Sequence, residues 1–241
     1  MHRDPMHHAS PLAQTVFLLL VALVAMFWLL GIKHAAPRSE APTITGRWMT
    51  SAWFFLFLWL AVPAALAWSG WLSNFTARPP RLPLLLVPVF CATTWLAFSG
   101  YGARLIERIG IGGLIGFQAF RLPLEWLLHR LFHEGVIPVQ MTYAGRNFDI
   151  VTGALALVLL LWSKFGTLPR WAIWGFNLIG LGLLINIVTV ALLSAPLPFR
   201  QFFNEPANTF IAYWPWIWLP TFLVQAAWFG HLLVFRWLRR N

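Results

Sequence analysis

The chain has 241 residues, of which 59% are hydrophobic and only 10% charged, whereas a soluble domain carries about 25% charged residues. With a mean hydropathy of +0.70, this excludes an ordinary globular domain and indicates an all-α, polytopic transmembrane helix bundle forming one domain over residues 1–241. The net charge of +10 is scattered between apolar runs and forms no stripe with interleaved aromatics. That excludes nucleic acid as a partner and points to a lipid bilayer; a membrane-protein partner or a homo-oligomer stays open.

A membrane span needs about 20 apolar residues. His2, His7 and His8 precede the first run and are assigned no role. Thr15–Ile32 is too long for a signal-peptide core and is followed by Lys33, so it reads as a retained first helix. Thr50–Trp68 and Leu82–Phe98 follow, with Pro63 and Pro88 expected to kink them. Trp48, Trp68, Trp71, Trp162, Trp171, Trp214 and Trp237 sit near run ends, as an interfacial belt requires; Trp28, Trp59 and Trp228 sit mid-run and read as packing residues. Cys91, the single cysteine, falls inside an apolar run and reads as a small buried hydrophobe.

The fourth run, Ile109–Phe132, is glycine-rich and apolar at first and charged later. Gly112 and Gly116 have the small-xxx-small spacing that permits close helix approach. Pro123 between the halves predicts a kink. The connection Gly135–Asp149 alternates apolar and polar residues and reads as a short hairpin or ordered loop, with Asp149 or Thr152 capping the next helix. Asp149–Phe165, Trp171–Leu193 and Ile211–Leu238 complete seven spans. Seven spans place ten basic residues on one side and six on the other; six spans leave the tally nearly even. The positive-inside rule thus favours seven, with the N-terminus out and the C-terminus cytoplasmic in a bacterial inner membrane.

The charged half of the fourth run carries the chemistry. Arg121, Glu125, His129 and His133 are four residues apart and share one helix face. Glu125, His129 and His133 are usable metal ligands for zinc, iron or manganese, although E-x3-H-x3-H lacks a second helix of ligands. In an acid–base reading, His129 is the general base and Glu125 orients it. Arg121 and Arg146 suit an anionic group, Asp149 lies at the mouth of the same end, and Asn186 falls at the depth of Glu125. The competing reading is an amphipathic helix end in the headgroup layer, or internal hydrogen bonds with no ligand. His231 lies toward the opposite end of its span, so a haem shared with His129 is disfavoured, and the last span has no lysine for retinal. Whether the chain is an enzyme is not decided by these residues.

The stretch RLPLEWLLHRLFHEGVIPVQMTYAGRNFDIVTG resembles a segment of uncharacterised bacterial multi-pass integral-membrane proteins. The resemblance covers residues 121–153. It implies a bacterial membrane location and carries no activity. Three functions fit these features: a pocket for a small polar or amphiphilic ligand or a metal ion, a small transporter or channel, and a non-catalytic accessory subunit of a membrane complex.

Overall fold

Proline and glycine punctuate the helices. A computed structural model describes residues 9–36 and 42–240, with side chains of the second helix described from Gly46; His2, His7 and His8 lie outside the described residues. Among those residues there are eight α-helices and no strand: α1 (Pro11–Ala35), α2 (Pro42–Trp68), α3 (Arg81–Phe98), α4 (Gly100–Gly116), α5 (Arg121–His133), α6 (Asp149–Phe165), α7 (Arg170–Ser194) and α8 (Val224–Arg240). Four are long and apolar enough to cross a membrane: α1, α2 from Gly46, α3 and α7.

The fourth predicted run is assembled differently from the expectation. The chain turns at Ser99, which caps α4 through a bond from the Tyr101 amide, so residues 100–108 are helical and not a connection. The break in this path is at Gly110, where φ is +74°, a conformation that costs a residue without a side chain little. A 3-10 turn at Phe117–Phe120 then leads into α5. Pro123 does not kink anything. It lies in the first turn of α5, where a missing N–H breaks the ladder least. Gly112 and Gly116 do serve close approach: a methyl group on either would collide with Ser163 or Leu160 of α6.

One further expectation is corrected. The run 211–238 is not one helix. Phe210–Ala212 is a 3-10 turn, the chain then loops, and a π-helical turn at Leu219–Leu223 feeds α8. Pro215 and Pro220 remove two donors from this stretch, and Trp216, Ile217 and Leu219 pack it into the core. Of the two forms expected for the segment after α5, the ordered loop is the one found. It is built around a 3-10 turn at Val139–Met141, with Arg146 N–H on the Gln140 carbonyl (3.3 Å) and Asn147 N–H on that of Thr142 (3.1 Å).

α8 is the central helix, packed against α3, α4 and α7. Mid-run tryptophans fasten its surroundings: Trp59 Nε1 donates to the Thr221 carbonyl (2.8 Å) and Trp228 Nε1 to Thr94 Oγ1 (2.9 Å). Trp53, Phe54, Phe57, Trp68, Trp95 and Trp171 are exposed on the outside. Cys91 is exposed there as well, on α3, and is not a core residue.

Polar contacts sort the helix ends into two groups. At one end Arg236 Nη1 donates to the Ala97 and Ser99 carbonyls (2.8 and 2.7 Å), Arg170 to Leu238 (3.0 Å), and Arg240 lies 3.7 Å from Glu107. At the other, Glu134 past the end of α5 accepts from the Ser10 amide and hydroxyl (both 2.7 Å) and from Arg130 Nε (2.8 Å). Ser10 Oγ in turn caps α1 by accepting from Ala13 N–H (3.2 Å).

This clasp makes stability depend on acid. Burial pushes the Glu134 carboxyl up, but the donors of Ser10 and Arg130 outweigh it and hold it below its ordinary range. A lowered folded pKa stabilises the fold above the unfolded value of about 4.3. That stabilisation is lost as pH falls through the folded value. The thermal midpoint of the purified protein is therefore expected to drop between neutral pH and pH ~3, and Glu134→Gln to start lower at neutral pH and fall less over that range.

Candidate functional site

α5 presents the stripe, and burial divides it. Arg121 and Glu125 are 1% and 2% exposed, whereas His129 is half-buried and His133 exposed. Arg121 Nη1 pairs with Asp149 Oδ1 at 2.9 Å and sits 3.5 Å from the Gly180 carbonyl. Asp149 begins α6, where the helix dipole also favours a carboxylate. Gly153 lets α5 approach, because a methyl group there would lie 2.9 Å from Leu122 N and 3.3 Å from Arg121 Cβ.

Asn147 organises the second pair. Its Nδ2 donates to both Glu125 oxygens (2.9 and 2.7 Å) and to the Met141 carbonyl (3.1 Å), and its Oδ1 accepts from Asp149 N–H (3.2 Å). It therefore joins α5, the loop and α6 at one point. Neither Asp149 nor Thr152 caps α6 as expected; the Asn147 oxygen takes the first amide, and Thr152 Oγ1 donates back to Asp149 Oδ1 (3.3 Å).

The histidines form a separate unit. His129 Nε2 and His133 Nε2 are 3.0 Å apart, and the His129 ring stacks on Tyr143 with centroids 4.3 Å apart. A single proton between the two nitrogens makes one ring the donor and the other the acceptor. No hydrogen bond joins Glu125 to His129, so the orienting pair of the acid–base reading is not assembled. The ligand set Glu125, His129 and His133 is not assembled either: among the described residues no three His, Cys, Asp or Glu side chains gather as a metal site. Asn186 does not enter the buried cluster; its Nδ2 holds the Arg146 carbonyl (2.7 Å). Arg146 is exposed and lies over the Phe202 ring at 5.0 Å.

The largest correction concerns His231. It is not at the basic end. It is fully buried at mid-bundle, with Nδ1 2.9 Å from Asn177 Oδ1. Gly180 seats it: a Cβ there would lie 2.5 Å from His231 Cε1 and 2.7 Å from Thr152 Cγ2. Since the Gly180 carbonyl also faces Arg121, the polar residues run from Glu125 through Arg121 and Asp149 to His231 and Asn177. The helical path of the last run starts only at Trp218, so His231 falls near its middle. Asn177, Gln118 and Thr152 were not singled out as site residues, because each is one polar residue in an apolar helix and carries no local signature.

A cavity of about 60 Å³ meets this cluster. Arg121, Glu125, Asn147 and Asp149 border it, but its surface is almost wholly apolar, with α3, α7 and α8 giving most of the lining. A water needs about 15 Å³ by this measure, so the space admits a group of several heavy atoms. Arg121 Nε and Nη2 are buried with no hydrogen-bond partner, as are His231 Nε2 and Asn177 Nδ2. Such groups, donors on Arg121 and Asn177 and an acceptor at His231 Nε2 because Nδ1 donates to Asn177, cost roughly 1–3 kcal/mol each when nothing meets them.

A domain of unknown function (DUF8737) matches residues 85–239, and the chain belongs to that family. No curated protein and no solved structure matches the chain. The family region begins within α3 and contains the whole polar cluster.

The pairing of Arg121 with Asp149 sets an expectation for stability. Arg121→Met alone strands Asp149 and is expected to cost about 3–5 kcal/mol. Arg121→Met with Asp149→Leu is expected to recover most of that loss, because no charge is then left unpaired. Chemical unfolding of the single and double variants checks both.

Proposed function

We propose that the chain is a multi-pass bacterial inner-membrane protein that binds a small polar or amphiphilic ligand in an outward-facing pocket lined by Arg121, Glu125, Asn147 and Asp149. The seven-crossing path counts α4, the 3-10 turn and α5 as one crossing. The sorting of helix ends supports it: Arg104, Arg108, Arg170, Arg236 and Arg240 share the end assigned to the cytoplasm, while Ser10 and Glu134 share the other.

The single observation that carries the ligand reading is the cavity bordered by Glu125 and Arg121 and otherwise walled by apolar side chains. An accessory subunit held together by internal hydrogen bonds needs no such space. An almost wholly apolar lining with polar residues at one border suits the apolar part of an amphiphilic ligand. The histidine pair lies one and two turns further along α5 than Glu125. With Glu125 held by Asn147, a metal would have only the two histidines from the expected set, which makes the organic ligand the better supported version.

The test uses detergent-purified protein and three four-carbon probes, butylamine, butanol and butyrate. At least one is expected to raise the thermal midpoint; saturation at about 100 times Kd corresponds to about 2.7 kcal/mol. Ala191→Trp, which fills the cavity from α7, is expected to remove the effect while leaving a cooperative transition. No stabilisation by any probe, or an effect that survives Ala191→Trp, rejects the pocket.

A second reading, a small transporter, is favoured by the continuation of buried polar groups from Arg121 to His231 and Asn177. It predicts proton entry into proteoliposomes, followed with an entrapped pH dye, that His231→Phe abolishes.

A further inference from the structure

A second and larger hollow lies on the flank of the bundle. It is a groove of about 700 Å³ between α1, α4 and α8, within the range of about 300–1,000 Å³ typical of small-molecule sites. Leu23, Phe27 and Leu30 of α1 give it an apolar wall, and the chain break at Gly110 lies beside Ile109, which also lines it. Phe120 lines both this groove and the polar cavity, so it stands as the partition between them.

The groove is not uniformly apolar. At the end shared by the start of α4 and the finish of α1 it is lined by Arg108, His34 and Tyr101. The Tyr101 hydroxyl is shielded and has no hydrogen-bond partner, and neither does the indole N–H of Trp48, whose ring is 6.3 Å from that of Tyr101. Arg104 covers Trp48 with its guanidinium 5.3 Å from the ring. His34 Nδ1 donates to the Leu30 carbonyl (2.8 Å), which leaves Nε2 for another partner. The acidic side chain described at this end, Glu107, faces Arg240. Neither Arg104 nor Arg108 forms an ion pair among the described residues.

We infer that this groove seats one anionic phospholipid, its phosphate held by Arg108 at the His34 end and an acyl chain laid along Leu23, Phe27 and Leu30 toward Phe120. The charge at the mouth and the apolar length behind it match a molecule with a phosphate at one end and a hydrocarbon chain at the other. A free phosphate uses the mouth alone and leaves the apolar wall unexplained. The inference rests on the chain being membrane-embedded, and it is independent of the polar cavity.

The test reconstitutes the full chain in nanodiscs of equal parts phosphatidylglycerol and phosphatidylcholine. Lipid that stays on the released protein is then counted by native mass spectrometry. One retained phosphatidylglycerol per chain is expected, at several-fold excess over phosphatidylcholine. Arg108→Gln is expected to lower the excess about fivefold, the effect of one basic side chain near an anionic headgroup. Tyr101→Phe, which keeps the ring packing and removes only a shielded hydroxyl, is expected to leave it unchanged. Arg78→Gln, on the exposed connection before α3, is expected to leave it unchanged. Equal retention of the two lipids, an excess that survives Arg108→Gln, or an equal loss in Arg78→Gln overturns the site. Failure of the chain to enter the bilayer at all overturns the membrane reading with it.

Discussion

An ion in an apolar bundle has to be met by a partner, and the arrangement of this molecule follows from that requirement. Arg121 is almost fully buried, and its Asp149 partner comes from the first turn of another helix. Glu125, one turn along, is met by Asn147 from the loop between those helices. The desolvation of each charge runs to several kcal/mol, so neither could be placed there alone. Everything near the pair is arranged to deliver the partners: a glycine where α6 crosses α5, a loop pinned by its own carbonyls, and an amide side chain that serves carboxylate, loop and helix end together. The pairing is incomplete, because one edge of the guanidinium is unmet. The cavity bordered by the same residues is a space that a purely structural ion pair does not require.

Much of the helical layout was legible in the sequence, for a simple reason. Long apolar runs bounded by prolines and basic residues have few alternatives, and α1, α2, α3, α6 and α7 end close to where those runs end. The stripe on α5 was legible from its four-residue spacing. Its division was not. Periodicity gives the shared face of Arg121, Glu125, His129 and His133, but depth along the helix decides which members are buried, and the loop that covers the first two carries that information.

The errors share a cause. His231 was misplaced because depth was counted from the start of an apolar run, and the first part of that run is not helical. Apolar composition records burial, and the irregular stretch before α8 is as buried as a helix would be. The bend near α5 was assigned to Pro123 because proline is the residue that most obviously interrupts a helix. The actual break is at a glycine in a run already full of glycines, where no single position stands out.

The clasp of Ser10 by Glu134 joins residues 124 positions apart. Its meaning lies in the order of assembly. A chain that emerges from its N-terminus presents α1 and its own Ser10 cap long before Glu134 has been made, so the clasp on that serine waits through the synthesis of α2 to α5. Closing so long a loop has an entropic cost that later contacts must offset. The same delay holds the flank of α1 that lines the lateral groove open to surrounding molecules until α4 arrives, so the groove could be filled as the protein is built rather than after it is finished.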